Sequence, residues 1–126
     1  MDTREKIKTV HELHSLIAES PWSAFVGTFD PLTAESIDII ERARKAGRKF
    51  LVIIRPEPNE LLSAESRAVL LAGLRFVDAV HIAVTNEWRS IVDPSFLPVT
   101  EEENGGRMRE EFAARIQASE AASPRA

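Results

Sequence analysis

Ten residues hold the chemistry most visible in this chain: Gly27-Thr28-Phe29-Asp30-Pro31-Leu32-Thr33-Ala34-Glu35-Ser36. Gly27 permits φ values and close backbone approaches that a side chain would block, as a tight turn or a seated phosphate requires. Thr28, Thr33 and Ser36 carry hydroxyls that can donate to phosphate oxygens. A helix beginning at Thr33 would add free N–H groups and a positive dipole end, both favourable to an anion. The spacing therefore describes a phosphate-binding loop. Glu35 opposes that reading, because a carboxylate in the first turn fills space and repels an anion. Asp30 has two roles open to it: a turn former that accepts loop N–H groups, or a ligand with Glu35 and Asp38 for a water-coordinated divalent cation. Loop chemistry favours the turn former, and no metal site is assigned.

A second segment of the chain supplies the competing account of Glu35. Thr33-Ala34-Glu35-Ser36 and Ser63-Ala64-Glu65-Ser66 are nearly the same tetrapeptide, each at an expected helix start. A Ser or Thr cap is worth about 1 kcal/mol, and an acid in the first turn about 0.3 to 1 kcal/mol. On this account the helix caps itself and Glu35 takes the electrostatic place of a phosphate. On the other, the loop still binds a nucleotide through backbone N–H groups, Thr28, Thr33 and Ser36. The three histidines add little to either. His11 and His14 lie three apart on adjacent faces of a leading helix, a surface arrangement without further ligands, and His81 falls inside an apolar strand. Arg107 and Arg109 stand among Glu101 to Glu103, Glu110 and Glu111, as on a solvated helix.

Alternating strands and helices must position the loop. Thr9-Val10-His11-Glu12 fits a capping box, and Val10, Leu13, Leu16 and Ile17 share one stripe, so a first helix is expected over 9–20, ending before Pro21. Trp22 to Val26 reads as a buried strand that Gly27 closes. Ile37, Ile40 and Ala43 then mark a second helix, with Gly47 expected as its left-handed C-cap. Phe50 to Ile54 is a continuous apolar run suited to a strand covered on both faces. Val69, Leu70, Gly73, Leu74 and Val77 trace a third helix, and Asp78 to Val84 a third strand. Beyond it Trp88 to Val92 fits one helical turn, Asp93 to Pro98 a loop, and Val99 to Gly106 mixes acids with two glycines. Met108, Phe112 and Ile116 predict a final helix over about 107–118, followed by a frayed tail over 119–126.

This order predicts a single α/β domain over 1–118: a doubly wound parallel sheet with helices on both faces and its ligand crevice at the carboxyl ends of the strands. Composition narrows the function classes. The 126 residues are 44% hydrophobic and 29% charged, as in an ordinary globular domain. A net charge of -4 argues against nucleic acid as a partner. Without cysteine there is no disulfide or thiolate chemistry. With no long apolar run and no leader-like segment, the reading is a cytoplasmic protein without a membrane partner.

The Gly-x-Phe-Asp segment resembles the signature of the cytidylyltransferase-like nucleotidyltransferases, in which a His-x-Gly-His motif follows at the first helix start. Here those four positions read Thr33, Ala34, Glu35 and Ser36. The order of elements, including Ser66-Arg67 and Val77-Asp78-Ala79-Val80, is similar to glycerol-3-phosphate and heptose-phosphate nucleotidyltransferase domains. The resemblance implies a Rossmann-like fold, a homodimer, and transfer of a nucleotidyl group from CTP or ATP, with Mg²⁺, to a small phosphorylated acceptor. It also places Gly27, Thr28, Phe29, Asp30, Thr33, Ser36 and Arg67 around the nucleotide. Arg67 has a competing reading as a solvated helix charge or a partner of Glu65. The replaced histidines remove the cations that clamp the phosphates, and donors of that sort are worth about 10² to 10³ in rate each. Segments like Lys-Gly-Gly-Asp and Ser-Ser-Thr-x-x-Arg are missing, and no Lys follows Lys49. Activity is therefore expected to be weak or lost. The alternative is a non-catalytic interaction or regulatory subunit that keeps the fold.

Overall fold

The apolar runs on either side of Gly27 pair as parallel strands. In a computed structural model, which describes residues 2–30, 32–85, 87–91 and 99–101, β1 (Trp22–Gly27) lies between β2 (Lys49–Ile54) and β4 (Val99–Glu101), and β3 (Ala79–Ile82) flanks β2. All three pairings are parallel, in the order β3-β2-β1-β4. Gly27 stands opposite Ile54 and Ile54 opposite Ile82, so three carboxyl ends are level.

Alternate residues of β2 explain its unbroken apolar run. Leu51 and Ile53 join Ala24, Val26 and Ala79 on one face, packed by Leu13 of α1 (Val10–Glu19) and Trp88 of α4 (Trp88–Ile91). Phe50, Val52 and Ile54 join Phe25 and Val80 on the other, packed by Ile40 of α2 (Ala34–Arg42) and by Ala68, Leu71 and Ala72 of α3 (Ala64–Ala72). A strand covered on both faces has no polar side to show.

The helix starts follow the sequence closely. Thr9 caps α1: its Oγ1 accepts from the Glu12 N–H at 3.2 Å, and the Glu12 carboxylate accepts from the Thr9 N–H at 3.1 Å. That backbone N–H, then the Thr9 hydroxyl, hold the Glu12 carboxyl below its ordinary pKa. A depressed folded-state value means that the stabilisation is present above the unfolded-state pKa and is lost as pH falls through the folded one.

Three expectations need correction, and one strand is added. Gly47 does not cap α2, which ends at Arg42; its φ of +78° belongs to a turn closed by the Arg48 N–H on the Lys45 carbonyl at 3.2 Å. The third helix turns a different face inward: Ala64, Arg67, Ala68, Leu71 and Ala72 are buried, whereas Val69 and Leu70 are 40% and 50% exposed. Small alanines let the helix approach the sheet, and Arg67 has interior partners. β3 is shorter than expected. Asp78 sits outside it, with its carboxylate accepting from the Phe50 N–H at 2.8 Å, and Val84 leaves through a tight turn in which its N–H donates to the Ile82 carbonyl at 3.0 Å. Val99 to Glu101, to which the sequence pattern assigns no element, forms a strand paired with Ala24 to Val26.

The N-terminal segment also adds structure. A 3₁₀ turn over Thr3–Lys6 leads to Ile7, which bridges to Val80, and the Lys8 N–H donates to the Val80 carbonyl at 2.7 Å. The edge of β3 is thereby partly covered. The expected loop 93–98, helix 107–118 and tail 119–126 lie outside the described residues. Among the described residues, no helix is long and apolar enough to cross a membrane.

Gly47 provides a test of this backbone. A Cβ there would meet nothing within 4 Å, so only its conformation resists a side chain. Gly47→Ala should destabilise the protein by about 1 kcal/mol, and Gly47→Asn by less, in urea unfolding.

Candidate functional site

The loop after β1 is held from behind by two charged side chains. Asp30 is 2% exposed, and its carboxylate oxygens accept from the N–H groups of Leu61 at 2.6 Å and Leu62 at 3.0 Å. Its partners are thus neither its own turn nor a metal-ligand set with Glu35 and Asp38, and Asp38 instead pairs with Arg42 at 2.7 Å. Asp30 fastens the β1 loop to the segment that leads into α3.

Arg67 completes the fastening from the opposite direction. Its side chain has no exposure. One terminal nitrogen donates to the Thr28 carbonyl and the other to the Glu60 carboxylate, while Nε donates to the Leu62 and Ser63 carbonyls at 3.1 and 3.4 Å. Both bland readings of Arg67 are therefore corrected: it is not solvated, and its carboxylate partner is Glu60, not Glu65. A guanidinium presents five donors in a fixed fork, which suits convergent acceptors better than a point charge would.

Between these anchors Phe29 takes a φ of +54°, a conformation uncommon for a bulky residue. Burial to 1% exposure and a tilted contact with Phe25, centroids 5.6 Å apart, hold it there. Gly27 ends β1, and its carbonyl accepts from the Arg55 N–H at 2.8 Å. Thr28 is buried at 6% exposure.

The start of α2 is closed by its own hydroxyls. Thr33 Oγ1 accepts from the Ser36 N–H at 3.1 Å, and Ser36 Oγ accepts from the Thr33 N–H at 2.6 Å while donating to the Thr33 carbonyl at 2.9 Å. This is a reciprocal capping box. Glu35 sits in the first turn and is exposed. α3 starts similarly, with Ser63 Oγ accepting from the Ser66 N–H at 3.1 Å. The matching tetrapeptides do matching work.

No family model matches this chain, and no curated protein matches it. Its chemistry must be read from its own residues. Cationic side chains at the carboxyl ends of the strands lie beside the loop, not in it: Arg55 follows β2 and Arg89 belongs to α4. Together with Glu57, Thr85 and Trp88 they line a cleft of about 250 Å³. Among the described residues, two buried side-chain polar atoms lack a partner, Ser23 Oγ and Arg55 Nε. An unpaired buried donor costs about 1 to 3 kcal/mol. Ser23 lies near the opposite end of β1, whereas Arg55 stands at the cleft.

The histidines lie elsewhere. His11 and His14 are exposed on α1, and His81 is 8% exposed, with Nδ1 2.8 Å from the Lys8 carbonyl. Since a carbonyl only accepts, Nδ1 is the donor. Among the described residues, no three His, Cys, Asp or Glu side chains gather where they could hold one ion. Sequence reasoning missed Glu60, Arg55 and Arg89. The first needs the fold to meet Arg67. The position of Arg55, directly after a buried strand, was a usable signal for the cleft.

The clamp should dominate stability. Arg67→Met leaves Glu60 and three carbonyls without their donor and should cost about 3 to 5 kcal/mol, with little recovery in Arg67→Lys. Asp30→Asn turns an amide NH₂ toward one of two N–H donors and should cost about 1 to 3 kcal/mol. Urea unfolding of the three variants checks these values.

Proposed function

We propose that this chain is a nucleotidyltransferase-like α/β protein, doubly wound and single-domain, in which loop 27–36 has become a structural clasp and nucleotidyl transfer is weak or lost. The observation that carries this reading is the capping box of α2. Thr33 and Ser36 stand where the resemblance expects the motif histidines, and each is already the other's hydrogen-bond partner. Transfer of a nucleotidyl group concentrates charge on the α-phosphate and the leaving pyrophosphate, so catalysis there is mainly positioning and electrostatic clamping. Two neutral hydroxyls engaged in a cap supply no cation, and Glu35 adds an anion in the same turn. Arg67 is fully buried and turned toward Thr28 and Glu60.

The strand order β3-β2-β1-β4 supports the doubly wound reading, because successive strands run outward from β1 on one side and β4 is added on the other. A non-catalytic interaction or regulatory role fits the retained scaffold. Leu61, Leu62, Val69 and Leu70 are 39% to 50% exposed and offer an apolar face for the second copy that the resemblance implies.

Calorimetric titration with ATP and CTP in Mg²⁺, paired with a pyrophosphate-release assay on small phosphorylated acceptors, tests the reading. The expected result is no saturable nucleotide binding at millimolar concentration and no release above background. Saturable binding with turnover would overturn it. Thr33→His with Ser36→His should lose about 1 to 2 kcal/mol of stability through the broken cap, without creating turnover.

A further inference from the structure

We propose that the cleft at the edge of β3 is a binding site for a small neutral aromatic molecule of the phenol class, whose hydroxyl donates to His81 Nε2. The cleft holds about 530 Å³, within the roughly 300 to 1,000 Å³ usual for small-molecule sites, and its lining includes no residue of loop 27–36. Two stretches of chain frame it. On one side Ile7 bridges to Val80, and the Lys8 N–H donates to the Val80 carbonyl at 2.7 Å. On the other, the turn after β3 is closed by the Val84 N–H on the Ile82 carbonyl at 3.0 Å.

His81 ties the two sides together and supplies the polar group. Its Nδ1 donates to the Lys8 carbonyl at 2.8 Å, which fixes the orientation of the ring and, in the neutral imidazole, the tautomer. Nε2 is then an acceptor. It has no partner among the described residues, whose fully buried and unpartnered side-chain polar atoms are Ser23 Oγ and Arg55 Nε, so Nε2 opens on the cleft that His81 lines. An acceptor held in place on a largely buried side chain is satisfied by a ligand that donates.

The walls select the body of that ligand. Ile7, Val10, Ile82 and Val84 line the cleft, and Val84 is 80% exposed, more than any other large apolar side chain among the described residues. A flat ring laid against them removes this surface from water and has no internal torsion to lose. Charge disfavours an anion. Lys8 is already paired with Glu12, Nζ to carboxylate 3.8 Å, and Glu87 brings a second carboxylate to the lining. His11, the remaining titratable group there, is exposed, and its charge is screened by water. A phenol is neutral, and its O–H, more acidic than that of an aliphatic alcohol, is the stronger donor.

The inference does not rest on the nucleotidyltransferase reading, since no residue of the motif loop takes part. The test is an NMR titration of the full chain with phenol, toluene and benzoate, following the His81 ring nitrogens and the backbone amides. Expected is saturable phenol binding that shifts the Nε2 signal and the amides of Lys8, Val10 and Val84. Toluene, which lacks the donor, and benzoate, which brings a charge, should each bind at least about tenfold more weakly. His81→Phe should erase the preference for phenol over toluene. Val84→Asn should weaken phenol binding about tenfold, whereas Val69→Asn, at an exposed valine of α3, should leave it unchanged. Because Val84 is exposed, its variant keeps the test valid even if His81→Phe unfolds. Absence of saturation, equal affinity for phenol and either competitor, undiminished affinity in the folded Val84→Asn variant, or shifts centred on Val69 and Leu70 would overturn the proposal.

Discussion

A guanidinium with no access to water sets the terms for the carboxyl end of this sheet. Burying the Arg67 charge is costly unless its donors are answered. The answers come from separate stretches of chain: the Thr28 carbonyl after β1, the Glu60 carboxylate in the β2 to α3 connection, and the Leu62 and Ser63 carbonyls at the start of α3. Each must be in place for the charge to be tolerated, so the residue acts as a positional constraint on all of them. Asp30 applies the complementary constraint, accepting the Leu61 and Leu62 N–H groups from the opposite side. With both ends of the loop fixed, Phe29 can keep a left-handed conformation that would otherwise be relieved.

Much of the fold was legible because it is written locally. The Thr9 and Glu12 box, the Thr33 and Ser63 caps and the run of β2 each depend on residues within a few positions of one another. What escaped was set by distance. Asp30 meets N–H groups 31 and 32 positions away, and a backbone donor leaves no residue type to read. β4 has three residues, too few to show alternation, and it exists because the free side of β1 needs a partner. The inward face of α3 was misread for a related reason. Its larger apolar residues, Val69 and Leu70, suggested the core side, but the face was decided by Arg67 and the small residues that let it reach Thr28.

The site was legible to a lesser degree. Sequence spacing located a loop at the carboxyl end of β1 leading into a capped helix, since a glycine after a buried strand followed by a helix cap is a local pattern. It could not say whether the polar groups of that loop face a ligand or the protein. Thr33 and Ser36 face each other, and Asp30 and Arg67 face inward.

A ligand site must leave polar groups in want of partners, and the free protein bears that cost. Within loop 27–36, the side chains of Asp30, Thr33 and Ser36 have partners inside the protein, so none of the three needs a ligand to be satisfied. Arg55 Nε differs in kind: it is a buried donor at the same end of the sheet, on a backbone rung shared with Gly27, and it has no acceptor among the described residues. Ser23 Oγ, near the other end of β1, is the second buried side-chain polar atom without a partner among the described residues, so the unmet donor marks a local cost of this fold and not a shared property of the loop.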